Sequence, residues 1–262
     1  AVDYSIIMAS SSEIVGRKIF FLYPSAVVQN QVIPELGQQE FEVYISKNHE
    51  SLRRVLRKNP DSIVLVDINE KMSEKDWEAW ITSIIKSPET SGVSVGIVSS
   101  SNDEELRKKY TGALKLPCGY IALRADLNKS MKQLIETLHA VEAKGQRKYI
   151  RVTTEKETNT TINIPWGGSF VTGQIKDISV VGISCSFESD PELTKNTLFK
   201  DIQIKLQSNL LKAEGIVFGS RIDEKDKIYV ILFTQRIDPD VRTRIRRYIQ
   251  QNLQGKMEAE LR

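Results

Sequence analysis

The chain reads as two domains of different class, a doubly wound α/β sheet followed by a small antiparallel β-barrel closed by a C-terminal helix. Three observations predict this. From Arg17 to Ala143 short apolar runs alternate with stretches of helical periodicity, the pattern of a parallel sheet with crossover helices. From Tyr149 onward β-branched runs follow one another, separated by turn residues and by no helical stretch until Asp238. At 262 residues, the chain is also longer than one hydrophobic core usually serves.

Residues 1–16 read as a flexible lead-in, with Met8 a candidate start. The first domain is placed at 17–143. Its strands are expected at Lys18–Tyr23, Phe41–Ile45, Ser62–Val66, Val93–Ser99 and Gly119–Leu123. The clearest helix is Ser73–Lys86: Ser73 is positioned to cap it, Asp76 lies in its first turn, and Pro88 stops it. Its apolar face consists of Trp77, Trp80 or Ile81, Ile84 and Ile85. A last helix, Leu127–Ala143, puts Leu127, Met131, Leu134 or Ile135, and Leu138 on one side. Lys144-Gly145-Gln146 then supplies a helix stop and opens a short hinge, 144–148.

The second domain is placed at 149–262. Strands are expected at Tyr149–Glu155, Thr160–Ile164, Ser169–Ile178, Gly182–Phe187, Leu198–Gln207, Leu210–Gly219 and Lys227–Phe233. Pro165-Trp166-Gly167-Gly168 and Ser208-Asn209 read as separators. Asp238-Pro239 opens the closing helix as an N-cap followed by proline, and Val241, Ile245, Tyr248 or Ile249, and Leu253 line one side.

Composition narrows the function. Residues 1–145 carry 18 basic and 19 acidic side chains, and residues 146–262 carry 19 and 15, so an anionic partner is expected for the second half. Cys118 and Cys185 fall in different domains with no Cys-x-x-Cys, which argues against a disulfide framework or a thiolate metal site and leaves a reducing cytoplasm as the default. His49 and His139 form no cluster. No apolar run approaches the roughly 18–20 residues that span a bilayer, and the first residues lack the regions of a signal peptide. Neither a hydrolase triad nor a phosphate loop nor a dinucleotide fingerprint occurs, so an enzyme is not expected.

Two motifs carry the chemistry. Arg147 and Arg151 stand four apart where the hinge meets the barrel, and arginine's planar fork of donors suits phosphate and the acceptor edge of guanine. The same spacing at Arg53/Arg57 and Arg242/Arg246 is better explained as a solvated helix face. Twenty-six residues after Arg151 comes Asp177-Ile178-Ser179-Val180-Val181-Gly182, in which period-two alternation puts Asp177 and Ser179 on one face of a strand end. Gly182 permits a turn or a close approach.

Arg-x-x-x-Arg before a barrel, followed by Asp-x-Ser-x-x-Gly within it, resembles the PilZ domain, a bacterial receptor for cyclic di-GMP, over roughly residues 146–253. The resemblance implies that Arg147 and Arg151 grip phosphates and guanine acceptor edges. Asp177 would accept from the guanine N1–H and N2–H₂ donors, Ser179 would bond a phosphate or base, and Gly182 would leave room. Lys148 is a weaker addition, and Trp166 could either stack a base or cap the barrel core.

The first half resembles the receiver domains of two-component signalling, with Asp67 at the position of the phospho-acceptor. It departs from them at Leu22-Tyr23-Pro24-Ser25, which supplies no acidic pair for Mg²⁺, and at Arg124, where a lysine is expected. Without a metal to neutralise the phosphoryl group, phosphorylation of Asp67 loses its main electrostatic support, and a structural aspartate is the preferred reading.

The expected function is therefore a cytoplasmic second-messenger receptor, with outputs of the motility-regulation kind. Ligand binding at the hinge and barrel would rearrange the domains for an effector protein. The alternatives are an adaptor acting by constitutive protein contacts, and a nucleic-acid binder using Arg242, Arg244, Arg246 and Arg247, which lacks the interleaved aromatics of a single-strand platform.

Overall fold

The computed structural model describes residues 16–261 except 124, 125, 146, 155, 156, 158, 224 and 225. The lead-in and Arg124 readings therefore fall outside the described residues, apart from Gly16. The chain divides into two compact units, one comprising residues 1–148 together with those from Gln254 on, the other Tyr149–Leu253.

The first unit holds five parallel strands, β1 (Ile19–Leu22), β2 (Val43–Ser46), β3 (Ile63–Asp67), β4 (Ser94–Ser99) and β5 (Tyr120–Ala122). They are ordered β2-β1-β3-β4-β5, which is the doubly wound arrangement with one switch point. Near-continuous apolar sequence follows from burial on both faces: every residue of β1, β3, β4 and β5 is buried. Helices α1 (Ile33–Gln38), α2 (His49–Lys58), α3 (Glu74–Lys86), α4 (Glu104–Arg107) and α5 (Leu127–Ala140) connect them.

Helix α3 forms for the reasons its sequence suggests. The Ser73 hydroxyl accepts from the Asp76 N–H, which satisfies a donor that the first turn leaves orphaned. Trp77, Trp80, Ile81 and Ile84 are buried, and the helix ends at Lys86 because Ser87, preceding Pro88, is extended. Helix α5 stops earlier than the position of Gly145 suggests. Glu142 adopts left-handed φ of 53°, and the N–H groups of Glu142 and Ala143 bond back to the carbonyls of His139 and Leu138. Ala143, the next residue, is buried.

The switch point is filled. Asp67, at the end of β3, accepts N–H bonds from Ser25 at 3.1 Å and Asn69 at 3.2 Å, so both carboxylate oxygens tie loops together. Burial raises its pKa above the usual carboxylate range, and those two backbone bonds oppose the rise. Ser99 donates to the Asn69 side chain at 2.8 Å. Tyr23, at φ 51°, packs on Trp77 and shares a 3.2 Å hydrogen bond with His49 Nδ1. Asp67 thus ties two loops together, and among the described residues no group of three or more His, Cys, Asp or Glu is placed to hold a metal.

The second unit is a closed antiparallel barrel of β7 (Thr160–Trp166), β8 (Ser169–Ser179), β9 (Gly182–Phe187), β10 (Leu198–Leu206), β11 (Asn209–Asp223) and β12 (Asp226–Phe233). Their order is β8-β7-β10-β11-β12-β9, and the β8–β9 pairing closes the ring. A short strand, β6 (Arg151–Thr153), adds to the outer edge of β8. Two strands run past the ends that the sequence predicts. Strand β7 runs through Pro165 and Trp166, because β10 pairs with β7 only as far as Asn163 and the missing proline N–H is not needed there. Strand β11 continues past Gly219, which sits at a bulge opposite β12.

Helix α6 (Pro239–Leu261) is capped by Asp238, whose side chain accepts from the Asp240 N–H at 2.8 Å. It places Ile245, Tyr248 and Ile249 in the barrel core. Glu157 anchors it to the barrel by accepting from Tyr248 Oη at 2.8 Å and from the Asn252 amide. Within the first unit, the Gln254 amide bonds both the N–H and the carbonyl of Ile45 on edge strand β2, at 2.9 and 3.0 Å. No described helix is long and apolar enough to cross a membrane.

Candidate functional site

The site is built where β6 meets β8. Pairing places Arg151 opposite Ser179, Val152 opposite Ile178 and Thr153 opposite Asp177. Directly opposed residues point to the same face. Val152 and Ile178, at 2% and 0% exposure, belong to the barrel core, so Arg151, Thr153, Asp177 and Ser179 share the other face. Arg151 and Asp177 are diagonal neighbours in this pair, a spacing of roughly 7–8 Å between residues.

A β-bulge aims the carboxylate. Ile175 and Ile178 both lie in the core although they are three residues apart, which period-two alternation forbids. The register against β9 shifts between Ile175 and Asp177 and removes the conflict, leaving Lys176 and Asp177 together outside the core. Asp177 then accepts a hydrogen bond from the hydroxyl of Ser184, opposite it on β9. Thr154 pins the end of β6 to β8 through its N–H to the Lys176 carbonyl, 2.8 Å, and its hydroxyl to the Ile175 carbonyl, 2.5 Å. Neither Ser184 nor Thr154 was identifiable from sequence motifs; the register supplies them.

Beside Asp177 lies a cavity of about 440 Å³ walled by Thr153, Lys176, Arg221, Asp223 and Ile228. Lys176 bridges to Asp226 at 3.2 Å and holds the end of the β11–β12 hairpin against β8.

Ser179 and Gly182 close the β8–β9 hairpin around Val180-Val181. The Ser179 side chain is 3% exposed, donates to the Gly182 carbonyl at 3.3 Å and accepts from the Val181 N–H at 3.4 Å. Gly182 is required by a close approach within the barrel: a Cβ there would lie 2.5 Å from the Ile231 carbonyl of β12. The room expected at this glycine is thus taken by a neighbouring strand. Gly182→Ala is expected to lower stability by about 1–3 kcal/mol. A reduced thermal midpoint checks this, and an unchanged midpoint would contradict the tight contact.

The structure brings Arg151, Asp177, Ser179 and Gly182 together in the second unit. Arg147 and Lys148 lie on the connecting segment that ends the first unit. Trp166 ends β7, half-buried against the core with its ring edge-on to Phe199 at 6.0 Å, as a barrel-capping tryptophan does.

Residues 145–251 match the PilZ domain family. That match leaves residues 17–143 outside it. No curated protein matches the chain. Among solved structures, the chain is similar to the PilZ domain of YcgR from Escherichia coli with c-di-GMP, at 16% identity and TM-score 0.38, covering 44% of this chain and 96% of that one. It is similar to the inhibitor of motility MotI from Bacillus subtilis at 14% identity and TM-score 0.37, covering 44% and 55%. A MrkH–c-di-GMP complex from K. pneumonia gives 20% identity and TM-score 0.36, covering 44% and 54%. The chain therefore spans about half the length of the latter two proteins. The second of its two parts, residues 145–251, is a PilZ domain.

Proposed function

We propose that this protein is a cytoplasmic receptor for cyclic di-GMP that turns ligand binding into a domain rearrangement read by an effector protein. The observation that carries the reading is the β6–β8 register, which sets a guanidinium and a carboxylate on one outward face. Arg151 supplies a planar fork to a phosphate or to guanine O6 and N7. Asp177 accepts from the donor edge of the same ring, and Ser179 bonds a phosphate or base once its hydroxyl turns from the hairpin. Arg147, with Lys148 beside it, approaches from the connecting segment and adds charge against the second phosphate. The matched family is a ligand-binding and adaptor domain, so no catalytic step is assigned.

Because Arg147 lies within the 144–148 hinge, its closure on the ligand would re-dock the first unit. Titrating the full chain calorimetrically with cyclic di-GMP, a linear dinucleotide and GMP tests the binding step, with saturable binding of the cyclic ligand expected. Scattering profiles with and without ligand test the rearrangement separately. Identical profiles at saturation would remove it and leave binding intact.

A second reading, an adaptor that binds no nucleotide, is favoured by one observation: Ser179 is buried and its hydroxyl serves the hairpin. Absence of heat with any nucleotide would select it.

A further inference from the structure

The segment that delivers Arg147 is clamped from below by Arg17. The Arg17 N–H donates to the Ala143 carbonyl at 2.9 Å, and its Nη1 to the Val141 carbonyl at 2.7 Å. Its remaining nitrogens reach the strand starts of the first unit. Nη2 bonds the Ser94 hydroxyl at 2.8 Å and the Ser62 and Gly92 carbonyls at 3.2 and 3.3 Å, while Nε bonds the Asp61 carbonyl. Every guanidinium nitrogen is thus used, and all but one acceptor are backbone carbonyls. This is a network that arginine's fixed fork can make and lysine cannot.

The clamp extends to the edge of the hinge. A Cβ on Gly16 would lie 3.0 Å from both the Ala143 carbonyl and the Gly145 nitrogen, so Gly16 lies directly against this stretch. Ala143 is 3% exposed. One residue separates Gly145 from Arg147. With consecutive Cα atoms about 3.8 Å apart, the Arg147 backbone can lie no more than roughly 7.6 Å from Gly145.

We infer that Arg17 is a positioning residue of the ligand site, holding Val141–Gly145 so that Arg147 is presented at a set reach. This rests on the assignment of Arg147 to cyclic di-GMP. An arginine that touches no ligand then contributes to affinity, because the ordering of its neighbours is completed before binding rather than during it. Releasing the segment moves that ordering into the binding step, and the freedom of a single backbone residue is enough to weaken binding about tenfold.

The test is a double-mutant cycle on the full chain, with dissociation constants for cyclic di-GMP from calorimetry and folding checked by circular dichroism. Arg17→Gln is expected to weaken binding about tenfold. Combined with Arg147→Ala it should weaken binding little beyond Arg147→Ala alone, since both act through one side chain. A role confined to stability would lower the melting temperature and leave the constant unchanged. Should Arg17→Gln fail to fold, Ser94→Ala removes one acceptor and carries the same cycle with a smaller expected loss. Wild-type affinity in the folded clamp variant, or losses that multiply in the double variant, overturns the inference. If Arg147→Ala itself binds normally, the assignment of Arg147 fails and the clamp's role fails with it. If Arg147→Ala is weakened and the clamp variant is not, the clamp alone is overturned.

Discussion

Arg151→Ala weakens cyclic di-GMP binding by about tenfold to a hundredfold, the loss of one or more hydrogen bonds worth roughly 1.5–3 kcal/mol each to a charged group. The barrel stays folded, because Arg151 stands on an edge strand and faces away from the core that Val152 and Ile178 fill. Arg151→Lys is expected to recover only part of the affinity, since it keeps the charge and loses the fork. Calorimetric titration of the two variants beside the parent chain checks both statements. Equal affinity in Arg151→Ala would remove the residue from the site.

Trp77→Ala destabilises the first unit by about 3–5 kcal/mol, a range set by lost transfer energy and by the cavity that remains. The side chain is fully buried and sits edge-on to Trp80 at 5.9 Å and to Tyr23 at 5.8 Å. Its Nε1 donates to the Glu70 carbonyl at 2.9 Å, so the change also strips an acceptor of its partner. This cluster occupies the crevice where open α/β sheets usually take a ligand. Urea denaturation should show a lower midpoint with little change in slope, and an unshifted midpoint would mean that the crevice is not a packed centre.

Local chemistry was legible in the sequence, and non-local geometry was not. Ser73 and Asp238-Pro239 announce their helices because capping is decided within three residues. The alternation of apolar runs and amphipathic stretches identifies five parallel strands because each buries both of its faces. The two binding motifs are legible for the same reason, as fixed spacings of chemically apt residues. The bulge at Ile175–Asp177 was hidden, since it arises from register against β9, and nothing in β8 alone marks it. Gly219 and Pro165 looked like strand ends, yet one is absorbed in a bulge and the other lies beyond the reach of β10. Arg17 carries no local signal beyond opening the first domain. Its acceptors come from segments between 44 and 126 residues away along the chain, from Asp61 to Ala143.

The central claim is that β6 and β8 present Arg151, Asp177 and Ser179 to one guanine-containing ligand. Backbone amide NMR of the full chain during titration with cyclic di-GMP tests it most directly. The account predicts that the largest shift changes fall at Arg147–Thr153 and Asp177–Gly182, with new protection of the guanine N1–H on the ligand. Changes centred elsewhere, or a spectrum unaltered at saturating ligand, would contradict it.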